Sequence, residues 1–240
     1  MLTLADSETT AVAHAARERT ALGLAVICAG GFMDAYSYLT RGHVFATGQT
    51  GNIVLLGVHL AQLDWLGVAR YLAPIVAFVI GILVSKHVMA QVHAGDHFRM
   101  QRWVIAFEAV AFALIALLPP EVPDLIVNLA ISFCAALSFE NFRTFGTRSA
   151  YASVFCTGNL RSFAETLYDG FVGHDRHEMH RSLRYLALVA SFTAGVVLGF
   201  FLIGAFGHFA AFAVSALFLL ANIFVGDYAR DAELISRETA

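Results

Sequence analysis

The 240-residue chain is 58% hydrophobic, only 14% charged and carries a formal net charge of −3. A soluble domain of this size would carry about 25% charged residues. The composition therefore excludes a soluble enzyme or binding module, makes the bilayer the solvent, and leaves no expectation of a nucleic-acid partner.

The first segment, residues 1–19, holds Asp6, Glu8, Arg17, Glu18 and Arg19 without an apolar core. It is expected to be a cytoplasmic tail and not a cleavable signal peptide. Spans are predicted at roughly 21–40, 66–85, 103–118 and 124–142, each closed by charge, proline or glycine. Residues 185–226 contain no Asp, Glu, Lys or Arg. That run can hold two further spans of about 20 residues, with Gly204 and Gly207-His208 marking the turn. The expectation is an all-α integral membrane protein of six transmembrane helices, with membrane units at 20–119 and 120–226 and a cytoplasmic tail at 227–240.

The two units resemble each other. Thr40-Arg41 followed by Thr50-Gly51-Asn52 recurs 107 residues later as Thr147-Arg148 followed by Thr157-Gly158-Asn159. Phe32/Phe139 and Leu60/Leu167 also match in that register, and Arg70-Tyr71-Leu72-Ala73 matches Arg184-Tyr185-Leu186-Ala187 at an offset of 114. Duplicated helical units are a common way to build transporters and channels, with the working site where the halves meet. With six spans and a cytoplasmic N terminus, thirteen of the fifteen Lys and Arg residues fall on the inner side and only Arg41 and Arg70 fall outside. This is the positive-inside pattern, with both termini cytoplasmic. Three spans per unit then make the repeats inverted.

The Thr-Gly-Asn segments are too short or too charged to cross. Residues 53–63 are apolar but brief, and the second copy carries Arg161, Glu165 and Asp169. Short helices starting near Thr50 and Thr157 are expected, capped by those threonines and either re-entrant or interfacial. Facing each other, they would direct two helix N-termini toward the membrane interior. The span before each copy brings ionisable groups to the same region, because Met33-Asp34 aligns with Glu140-Asn141. Carboxylates inside spans are costly and normally pair. Arg41, Arg148, Arg143 and Arg161 are the expected partners, with either a structural or a substrate-binding role.

These residues carry a resemblance. Gly30-Gly31-Phe32-Met33-Asp34-Ala35, Val44-Phe45 and Gln49-Thr50-Gly51-Asn52, together with Phe155-Cys156 before the second Thr-Gly-Asn, are similar to the YoaK-like family of bacterial inner-membrane proteins. The similarity extends from about residue 20 to 226. It implies a bacterial inner-membrane location and supplies no catalytic residues.

Other constellations point to structure. His174, His177 and His180, like His87, His93 and His97, read as solvated loop histidines, so no metal is expected. Cys28, Cys134 and Cys156 have no paired spacing and read as packing residues. Glu108 is expected to snorkel or pair near the inner face. Gly81 and Ser85 align with Gly195 and Gly199, a small-x-x-x-small spacing suited to close helix packing between the halves or in a homo-oligomer. Trp65, Tyr71 and Trp103 stand at span ends as interfacial aromatics. No phosphate-binding glycine loop, nucleophile elbow or cofactor motif is present in the sequence.

The functional expectation is a small-solute transporter or channel, not an enzyme, with its path between the halves. Asp34, Arg41, Thr50, Gly51, Asn52, Glu140, Asn141, Arg148, Thr157, Gly158 and Asn159 are expected to line it. Asn52→Ala or Asn159→Ala should then stop flux while leaving the protein folded. A second reading is a non-catalytic membrane subunit docking a cytoplasmic component through the basic loop 143–184. A third, less favoured, is an intramembrane enzyme acting on a lipid or quinone with Asp34 or Glu140 as acid or base.

Overall fold

The structure is a computed structural model. It describes the backbone of residues 4–91, 97–142, 144–145, 149–150 and 156–238, and the side chains of 21–91, 99–142, 156–223 and 225. Almost all of it is helix. In chain order the helices are α1 (Leu4–Thr40), α2 (Gln49–Ala61), α3 (Trp65–Gln91), α4 (His97–Leu117), α5 (Asp124–Asn141), α6 (Cys156–Val172), α7 (Arg176–Phe206) and α8 (Ala211–Glu238). Two antiparallel two-residue strands, β1 (Thr144–Phe145) and β2 (Ser149–Ala150), lie between α5 and α6.

Five segments are long and apolar enough to cross a bilayer: Ala21–Thr40, Trp65–Gln91, Arg99–Leu117, Asp124–Asn141 and Arg176–Ile223. The last is 48 residues long. Gly207 breaks it with φ of +59°, a backbone conformation that costs glycine little, and a 3-10 turn over Gly207–Ala210 leads into α8. The expected turn at Gly207-His208 is where the sequence placed it. α1 runs without interruption from Leu4, so the boundary drawn at residue 19 falls inside a helix of about 55 Å. α3 contains Pro74, which cannot donate to the Arg70 carbonyl. Such a gap is tolerated in spanning helices.

Packing explains the small residues. α1 packs on α7 and α8, α3 on α5, α4 on α8 and α5, α2 on α3, and α6 on α7. A β-carbon on Gly195 would strike the Cys28 carbonyl of α1, and one on Gly31 would strike the Phe192 carbonyl of α7. A β-carbon on Gly81 would lie 2.6 Å from the Ala136 methyl and 2.9 Å from the Phe133 carbonyl, both on α5. The small residues of α3 and α7 therefore seat those helices on the other half of the chain. Phe32, Ile105, Phe112, Ile131, Val214 and Phe218 form the core between α1, α4, α5 and α8. The outer flanks of α3 and α7 expose Leu72, Val79, Leu83, Val197, Phe200 and Phe201. Exposed side chains of this kind suit lipid and not water.

Candidate functional site

Asp34 sits near the end of α1 and is buried. Its Oδ1 accepts the Thr47 N–H at 2.8 Å and the Gly48 N–H at 3.4 Å. The carboxylate thus anchors the loop that leads into α2, and ordered backbone donors stabilise it at little entropic cost. Ser37 adds a second anchor, accepting the Ala46 N–H at 3.2 Å. Asn52, with no exposure, closes the loop from the far side. Its Oδ1 accepts the Phe45 N–H at 3.1 Å, and its Nδ2 donates to the Phe45 carbonyl at 2.6 Å and to Gln49 Oε1 at 2.9 Å. Gly51 leaves the room that the Phe45 ring fills, since a β-carbon there would lie 2.6 Å from Phe45 Cδ2.

The short helices begin close to the expected threonines, but the capping expectation is corrected. Gly48 stands at the N-cap of α2 with no side-chain cap bond, and Thr50 is an exposed residue inside the first turn. In α6, Thr157 and Gly158 are exposed while Asn159 is buried and engaged. α2 rests on α3 and α6 on α7, with no extensive face shared between α2 and α6 among the described residues. Arg148, Arg143 and Thr147 lie outside the described residues.

Arg41, just past the end of α1, does not pair with Asp34, about two turns earlier. The backbone N–H groups already occupy that carboxylate, and the guanidinium points toward α5. Arg41, 3% exposed, lies 3.6 Å from Asp124 Oδ1 and donates to the Tyr36 hydroxyl at 3.3 Å. Its backbone carbonyl accepts from Asn128 Nδ2 at 2.8 Å. At the other end of α5, Glu140 lies 3.4 Å from Lys86 Nζ. Asn141 donates to Ser85 Oγ at 2.8 Å, and its carbonyl accepts from Gln101 Nε2 at 2.9 Å. The expected residues thus separate: Asp34 of α1 and Asn52 of α2 hold the loop between those helices, while Arg41 and Asn141 stand at opposite ends of α5.

Of the two expectations for Glu108, snorkelling or pairing, the structure shows pairing. Glu108 is fully buried in α4 and its Oε2 accepts from Ser138 Oγ of α5 at 2.7 Å. Glu108 Oε1, Arg41 Nε, Asn128 Oδ1 and Ser132 Oγ are buried without a hydrogen-bond partner. All four lie on α5 or on a side chain that faces it. Asp124, Asn128 and Ser132 recur every four residues, one helical turn apart. That spacing is present in the sequence, yet neither Asn128 nor Ser132 is among the residues expected to line the path.

Outside the spans, Asp64 precedes α3 and its Oδ1 accepts the Gly67 N–H at 3.1 Å, while His59 Nδ1 lies 2.8 Å from Oδ2. The Gly67 N–H and the imidazole together hold this carboxyl below its ordinary range. The Glu165 carboxylate raises Arg161 in the same way. His177 lies 3.6 Å from Glu178, and no group of metal-ligating side chains assembles among the described residues. The three cysteines are free thiols.

A family model described as "Protein of unknown function (DUF1275)" matches residues 22–225. The UPF0700 transmembrane protein YoaK of Bacillus subtilis (strain 168) is 27% identical over 156 residues, covering 64% of this chain and 68% of that protein. No solved structure matches the chain. Long apolar helices, lipid-suited outer flanks and this relationship make the chain a multi-pass membrane protein that belongs to the DUF1275, YoaK-like family.

Proposed function

We propose that this protein moves a small polar solute across the bacterial inner membrane through six spans arranged as two inverted repeats. The helix pairing supports the repeats. Matching α1, α2, α3 and α4 with α5, α6, α7 and α8 turns the α1 contact with α7 into the α5 contact with α3. The same exchange relates α2–α3 to α6–α7 and α1–α8 to α5–α4, and returns α4–α8 to itself. That is the behaviour of a pseudo-two-fold axis.

The observation that carries the transport reading is the polar stripe on α5. From Asp124 to Ser132 it covers two turns of one face, about 12 Å of a hydrocarbon thickness of about 30 Å, and Ser138 carries the polar line onto a neighbouring face toward Glu108. Four buried polar atoms along it lack partners. Unpaired groups at such depth are expensive and serve a solute or water that passes them. Arg41 stands at one end and Asn141 at the other. Asp34 and Asn52 hold the loop beside the outer end in place.

Substituted-cysteine labelling tests this. In a chain with Cys28, Cys134 and Cys156 replaced by Ala, Asn128→Cys and Ser132→Cys should react in membranes with a small charged methanethiosulfonate reagent. Ile131→Cys, in the apolar core, should not. If neither stripe position reacts from either side of the membrane, α5 is only a packing helix and the path lies elsewhere.

A further inference from the structure

We propose that the cleft between α3 and α4 binds an anionic phospholipid, with an acyl chain inside and the phosphate on Arg99 and Arg102. α3 and α4 both rest on α5 without packing face to face among the described residues. The resulting cleft of about 720 Å³ is walled by Val84 and Val88 of α3, Met100, Trp103 and Phe107 of α4, and Leu137 of α5. This volume falls in the range of sites that hold small organic ligands.

Three observations select the occupant. Its own walls, Val84, Val88, Trp103 and Phe107, are exposed on the apolar outer surface, so the cleft opens toward the bilayer. One end is basic. Arg99 borders both this cleft and a second hollow of about 310 Å³ on the other side of Trp103, where Arg102 and Asn222 join it. Among the described residues no carboxylate is in ion-pair range of Arg99 or Arg102. Among the described residues, the hydrogen-bond partner of Arg102 is the neutral Asn222 side chain, at 3.4 Å. An apolar slot ending in two guanidiniums beside an indole matches a molecule with a hydrocarbon tail and a phosphate. A neutral lipid would offer neither arginine a counter-charge. A soluble phosphate would leave the slot unfilled.

Trp103 supplies the readout. In full-length protein with Trp65→Phe, in detergent, phosphatidylglycerol with brominated acyl chains should quench Trp103 fluorescence at lower mole fraction than the same chains on phosphatidylcholine. Two basic side chains near an anionic surface are worth about a thirtyfold difference in affinity, which Arg99→Gln with Arg102→Gln should remove. Val88→Phe, which projects a ring into the cleft, should weaken the quenching that remains, while Arg161→Gln should change nothing. Equal quenching by both lipids overturns the headgroup assignment. Quenching untouched by Val88→Phe overturns the acyl-chain site. Displacement of the lipid by glycerol phosphate at equal concentration would make the site one for soluble phosphates, and a dimer that shields Trp103 from both lipids would make it a protein interface. Either result overturns the proposal.

Discussion

Asn52 offers a quantitative test of what the Thr-Gly-Asn segment does. Its amide makes three hydrogen bonds, two of them to the N–H and carbonyl of Phe45. Asn52→Ala leaves both backbone groups and Gln49 Oε1 without that partner, in a place where water has little access. Each buried polar group left unpaired costs about 1–3 kcal/mol. Phe45 is only partly buried, so the total is set at about 2–4 kcal/mol. For a chain of this length 1 kcal/mol corresponds to about 2–4 °C in Tm, giving a drop of roughly 4–16 °C in a thermal scan of the detergent-solubilised protein. Asn52→Asp should be no better, since it keeps the acceptor for the Phe45 N–H but turns an oxygen toward the Phe45 carbonyl. A Tm within about 2 °C of the parent for Asn52→Ala would refute the staple. The sequence expectation that this substitution stops flux without touching the fold is revised accordingly, and a flux assay on Asn52→Ala must be read against its stability.

Gly195→Ala should destabilise by about 2–3 kcal/mol or prevent folding, because the new methyl strikes the Cys28 carbonyl. Gly204→Ala, with open space around it, should leave Tm unchanged or raise it, and the pair of thermal scans checks the difference in sign. Glu108→Gln keeps an acceptor for the Ser138 hydroxyl and should stay within about 2 °C, whereas Glu108→Ala strands that hydroxyl and should lose about 2 kcal/mol or more. Asp64 has a folded-state carboxyl held below its unfolded value, so its stabilisation is fully present above the ordinary carboxylate pKa of about 4 and fades as pH falls through the lower folded value. The Tm gap between the parent and Asp64→Asn should therefore be steady from pH 5 to 6 and close on further acidification. A gap that widens in acid would show that the N–H of Gly67 and His59 do not favour the charged form.

Much of the architecture was legible because it follows from solvent and period. The uncharged stretch 185–226 announced a helical hairpin, and the glycine that could turn it was visible at Gly207. The short helices at Thr-Gly-Asn were legible from length and charge. Their caps were not, because an N-cap depends on backbone angles at Gly48 that composition does not encode. The partner of Arg41 was missed for a related reason. Sequence proximity favoured Asp34, but a loop folded back on α1 supplies backbone donors to Asp34 first, and Asp124 lies across a helix boundary. Asn128 and Ser132 were overlooked because they have no counterparts in the repeated motif, although their four-residue spacing places them one turn apart on α5.

The reciprocal seating of α3 on α5 and α7 on α1 bears on how the chain is made. Gly31 leaves the ribosome roughly 160 residues before Gly195, the glycine that fits against the same stretch of α1. At 5–20 residues per second that interval is on the order of 10–30 s. Through it α1 sits in the bilayer with its α7-facing surface uncovered, whereas α3 waits only about 55 residues, from Gly81 to Ala136 of α5. Neither half can reach its final packing alone, so a chain cut between α4 and α5 should require both fragments to be made in the same cell, and the early half on its own should be a substrate for membrane proteolysis.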